Sequence, residues 1–92
     1  MKGPEVEIVA HGPAGVVRYR EGTNTHEFQW EFGTGKVVVF IYAPSPAEWD
    51  ARLPWAAGRR TEVLDALGRE VCRQKCPGCR VRIAERGIEL LG

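Results

Sequence analysis

Residues 54–76 read PWAAGRRTEVLDALGREVCRQKC and hold the clearest helical pattern in the chain. Val63, Leu64, Leu67 and Val71 recur at three- and four-residue spacing, bordered by Ala56, Ala66 and Cys72, which makes one apolar face. Arg59, Glu62, Asp65, Arg69 and Arg73 fall on the other face, with Asp65 four residues before Arg69 in the favourable order for an ion pair. Pro54 is tolerated near the first turn, and Pro77-Gly78 supplies a stop, so the pattern predicts a main helix over 54–76. Burying three or four aliphatic side chains at about 1.5–3 kcal/mol each suffices to fix one helix on a sheet.

The flanking segments supply that sheet. Residues 5–10 alternate with Val6, Ile8 and Ala10 on one face, and 16–20 resume after the break at His11-Gly12-Pro13-Ala14-Gly15. Residues 25–32 alternate cleanly, with His26, Phe28, Trp30 and Phe32 facing one way. Gly33-Thr34-Gly35 predicts a hairpin into 37–42, VVVFIY, which is apolar on both faces and therefore expected near the middle of the sheet, beneath the helix. Ser45-Pro46-Ala47-Glu48 has the pattern of a capping box and predicts a short helical turn before Pro54. After the main helix, 80–84 and 88–90 read as a last hairpin. The fold class that follows is α+β: an antiparallel sheet of five or six strands in the order ββββ-α-ββ, with one main helix on one face.

Size and charge bound the function. Ninety-two residues with 43% hydrophobic content are expected to form one domain over 1–92 with one core. A net charge of +1 offers no broad attraction for nucleic acid or an anionic membrane. The first ten residues carry acids and a proline where a signal peptide has an apolar core, and the run at 37–43 is too short to span a bilayer, so a soluble cytoplasmic protein is expected. Three cysteines, an odd number, agree with a reducing compartment.

Cys72, Cys76 and Cys79 form a C-x3-C-x2-C run. A thiol–disulfide centre is disfavoured because the cysteines lie at a helix C-terminus, where the dipole opposes a thiolate. Zinc is the better chemical reading, with C-x2-C as a half-site, Cys72 as a third sulfur and His11, His26 or another chain completing the set. The plainer reading is ordinary structural cysteine, with Cys72 on the buried stripe.

Two further candidates lie near the helix start. Trp49, Trp55 and Arg52 are residue types enriched at binding hot spots and are candidates for an interaction surface, although both tryptophans suit equally a lid over the core. Arg59 and Arg60 sit where free helix N–H groups favour anions, yet no glycine-rich phosphate loop precedes them. Catalytic material is sparse: Ser45 is the one serine, and Glu27 and Glu31 point away from His26 across the strand.

One helix cannot cover both faces of such a sheet, so apolar surface is left for a partner or a second copy. The expected function is a non-catalytic protein-interaction domain that self-associates. The alternative is a zinc- or anion-binding module built on the cysteines or on Arg59 and Arg60. Small bacterial immunity and accessory proteins share this scale and build, an analogy of size that names no partner.

Overall fold

The computed structural model of the chain describes residues 3–92, so residues 1 and 2 of the expected domain lie outside the described residues. Strands β1 (Glu5–His11), β2 (Ala14–Glu21), β3 (Asn24–Phe32) and β4 (Val37–Tyr42) come first. Helix α1 (Pro46–Arg52), a 3-10 turn at Pro54–Ala56 and helix α2 (Arg60–Lys75) follow, and β5 (Arg80–Ala84) and β6 (Gly87–Leu91) close the chain. The six strands form one antiparallel sheet in the order β1-β2-β3-β4-β6-β5, the α+β architecture expected from the periodicities.

The alternation sorts the faces as read. Val17, Tyr19, Phe28, Trp30, Ile41, Ile88 and Leu90 are buried on the helix side of the sheet. Val63, Leu64, Leu67, Val71 and Cys72 of α2 meet them, and Asp65 and Arg69 pair at 2.9 Å on the solvent side. Among the described residues no polar or charged side chain is buried in the core.

Three details differ from the expectation. Helix α2 starts at Arg60 rather than close behind Pro54, because Gly58 takes a left-handed φ of 75° and donates its backbone N–H to Asp50 Oδ1 at 2.9 Å. Helix α1 has serine, proline and glutamate at the expected positions, but no capping-box bond to the backbone forms; the Ser45 hydroxyl donates instead to Glu48 Oε1 at 3.3 Å. Finally, β4 is central, yet α2 packs on β5 and β6 and reaches β1 with its last turn, where Gln74 Nε2 donates to the Val6 carbonyl at 3.2 Å. The sheet curls so that both of its edges approach the same helix.

That curl has a visible origin. β2 and β3 pair along their whole length, from Ala14 opposite Glu31 to Glu21 opposite Asn24. β3 and β4 pair only at Trp30 with Ile41, Glu31 with Phe40 and Phe32 with Val39. Beyond Trp30 the first half of β3 has no partner in β4, which ends at Tyr42, and α1 with the 3-10 turn covers that gap from the helix side through Trp49 on Phe28 and Trp55 on Tyr19. No helix among the described residues is long and apolar enough to cross a membrane.

Candidate functional site

The residues singled out in the sequence fall into three places. Trp49 lies inside the gap between β3 and β4, 1% exposed, stacked on Phe28 with ring centroids 6.5 Å apart. Its indole N–H donates to the Ala56 carbonyl at 2.8 Å, which meets the one polar demand of a buried tryptophan. Trp55 is half-buried and stacks on Tyr19 at 6.3 Å. Both rings therefore close the core as a lid, and of the candidate interaction surface Arg52 alone is exposed. Arg52 stands near His26, whose pKa is lowered by burial and, second, by this cation.

Arg59 and Arg60 are engaged by the protein itself. Arg59 holds Glu21 through both of its terminal nitrogens, at 2.8 and 2.9 Å, and Glu62 at 2.6 Å. Tyr19 donates its hydroxyl to the same Glu21 carboxylate at 2.9 Å. Hydrogen bonds from Arg59 hold the Glu21 carboxyl below the usual range, with Tyr19 adding to them. Burial and the bond to Glu21 raise the Tyr19 phenol. Arg60 donates to the carbonyls of Pro44, Ala84 and Glu85 at 2.8–2.9 Å, tying the start of α2 to the β5–β6 turn. Bound in this way, the two guanidiniums serve as clamps between α2 and the sheet rather than as free donors for an anion.

The cysteines separate. Cys72 is buried in the α2 stripe, where burial pushes its thiol pKa up. Cys76 and Cys79 are joined across Pro77-Gly78, their Cα atoms 5.6 Å apart, a span that suits a disulfide. Two of the three expected ordinary thiols are thus paired, because the turn after α2 folds the chain back on itself: Cys79 donates its N–H to the Cys76 carbonyl at 3.0 Å. Among the described residues no three His, Cys, Asp or Glu side chains are grouped to hold a metal ion.

Two further surfaces present apolar side chains to solvent. On the sheet face away from α2, Val38 and Tyr42 are 36% and 42% exposed, and Phe40 packs edge-on against Tyr42 at 4.6 Å. Tyr42 donates its hydroxyl to Glu31 on the next strand. Ion pairs surround this strip: Arg18 with Glu27 at 2.6 Å and with Glu7 at 3.0 Å on β1–β3, and Arg82 with Glu89 at 2.6 Å on β5–β6. On the helix side, Ile8, Val17, Trp30, Val39 and Val71 line an apolar cleft of about 260 Å³. The run VVVFIY announced the first surface by being apolar on both faces. The second depends on the curl of the sheet, which leaves no local trace in the sequence. Comparison with protein-family models, with curated proteins and with solved structures gives no match to this chain.

Proposed function

We propose that the chain is a non-catalytic interaction domain that pairs with a second copy of itself through the outer face of the sheet. The observation that carries this reading is the strip of exposed Val38 and Tyr42 and half-buried Phe40, flanked by charged side chains on the outer face of the sheet. Glu27 and Glu31 of β3 lie on one side of the strip, and Arg80 and Arg82 of β5 on the other. Consider a two-fold axis running along the strands between β4 and β6. It lays β4 of one copy over β6 of the other, and β3 over β5. Glu31, Phe40, Glu89 and Arg82 lie level across the sheet, so Glu31 of each copy then faces Arg82 of the other while β6 covers the strip on β4, the self-complementarity a two-fold interface requires. The polar groups nearest to being reactive are committed elsewhere, Ser45 to Glu48, Arg59 to Glu21 and Arg60 to three carbonyls, which favours a binding role over a catalytic one.

Sedimentation velocity tests this directly. The expected result is twice the chain mass, reduced to the single-chain mass by Phe40→Glu with the melting temperature held within a few degrees. Arg82→Glu alone should weaken the pair, and Arg82→Glu combined with Glu31→Lys should restore it. A single-chain mass at every concentration would overturn the reading.

A further inference from the structure

The cleft on the helix side is a separate feature, on the opposite face of the sheet from the proposed dimer surface. Its floor is made by Val17 and Ile41, both fully buried, and its walls by Ile8, Trp30, Val39 and Val71. The one polar group of those walls, the Trp30 indole N–H, is directed to the Val9 carbonyl at 3.3 Å, so the interior presents carbon. Phe32 stands at the mouth with 58% of its surface exposed, edge-on to Trp30 at 5.4 Å. An exposed phenyl ring beside an unfilled apolar cleft is surface that an apolar ligand would cover.

Lys75 is the one charged residue of the lining. It is the last residue of α2 and is exposed, and no acid among the described residues lies within ion-pair distance of it. Its neighbours are otherwise occupied: Glu70 is taken by Arg73 and Gln74, and Gln74 also reaches the Val6 carbonyl. The helix end is held to β1 by that bond from Gln74 to the Val6 carbonyl, which keeps Lys75 beside the cleft.

We propose that this cleft binds a small organic carboxylate with an apolar body, a medium-chain alkyl acid or an aryl acid, whose tail fills the cavity and whose carboxylate meets Lys75. A cavity of about 260 Å³ falls just below the roughly 300–1,000 Å³ of ordinary ligand pockets, which selects a small ligand. One lysine supplies a single point charge, which suits a monoanion; phosphate groups carry more charge and draw the bidentate forks of arginine.

The test uses the full chain and three probes: octanoate below its micelle-forming concentration, octanol with the same tail but no charge, and acetate with the charge but no tail. Saturable amide shifts at Ile8, Trp30, Val39 and Val71 are expected with octanoate, and none with acetate. Lys75→Met should weaken octanoate about fivefold to tenfold and leave octanol unchanged, whereas Lys75→Arg should retain binding. Lys75 is exposed, so neither variant threatens the fold. Octanoate that gives no saturable shift, or that binds Lys75→Met as tightly as the native chain, overturns the proposal. Shifts confined to Val38, Phe40 and Tyr42 would do the same, since they would place the ligand on the other face.

Discussion

Trp49 and Ala56 are joined by a buried hydrogen bond of 2.8 Å that spans the junction between α1 and the 3-10 turn. The bond fastens the segment that fills the gap between β3 and β4, and it depends on an indole that is also stacked on Phe28. Trp49→Phe keeps the stacking and loses the bond, leaving the Ala56 carbonyl without its partner, and is expected to cost about 1–3 kcal/mol. Trp49→Ala loses both and is expected to cost about 3–5 kcal/mol. Trp55→Ala, at a half-buried ring, should cost less than Trp49→Ala. Urea titrations of the three variants check the order.

The cluster of Tyr19, Glu21 and Arg59 predicts a pH dependence. Glu21 has a folded pKa below its ordinary 4.5, chiefly through Arg59. Its contribution is therefore present above that value and is lost as pH falls through the lower, folded pKa. Both partners are about a third exposed, so the pair is screened by solvent, and Arg59→Met is expected to lower stability only slightly. Glu21→Gln should flatten the stability profile below pH 4.5, measured by thermal melts across the acid range.

His26 acts in a higher window. Burial and Arg52 lower its pKa against a weaker opposing pull from Glu27, so the unfolded chain takes up a proton first as pH falls below 6.5. Glu48 and Tyr42 line the same hollow. Stability is then expected to decline from pH 6.5 downward, before the Glu21 step begins, and His26→Gln should remove the upper step while leaving the lower. Two-dimensional imidazole spectra followed over pH would give the folded midpoint, which should lie below 6.5.

Gly68 sits in the middle of α2 at its closest approach to the last hairpin. A Cβ there would come within 2.8 Å of Val81 Cγ1 and 3.2 Å of Ile88 Cγ2. Gly68→Leu should force helix and hairpin apart at a cost of about 1–3 kcal/mol, read from the denaturation midpoint. Gly68→Ala sets a gain in helix propensity of up to about 1 kcal/mol against the same contact. Pairing it with Val81→Ala should relieve the contact and recover stability relative to Val81→Ala alone.

What the sequence disclosed and what it concealed follow the range of the interactions. The α2 stripe from Val63 to Cys72 and the alternation of Phe28 and Trp30 are local patterns, legible because burial on one face repeats at the period of the element. The partnership of Arg59 with Glu21 spans 38 positions, and that of Gln74 with Val6 spans 68, so neither leaves a local signature. Trp49 was ambiguous for the same reason. A tryptophan in a connection is a lid or a contact according to whether the strands beneath it part, and the parting of β3 from β4 is a property of the assembled sheet. Residues 54–59 misled for a local reason: Ala56 and Ala57 continue the helical composition, and the left-handed Gly58 breaks it.

The narrow seam of three residue pairs between β3 and β4 divides the sheet into a meander, β1–β3, and a second leaf, β4-β6-β5, that carries most of the contact with α2. Mechanically this is a fold with a fracture line. The amides that face across the seam, those of Glu31 and Phe40, should exchange with solvent sooner than those in the middle of the β2–β3 ladder, because opening the seam releases few hydrogen bonds. Across that line the two leaves are bridged mainly by side chains of the helical layer, Arg59 on Glu21, Gln74 on the Val6 carbonyl and Trp49 on Phe28.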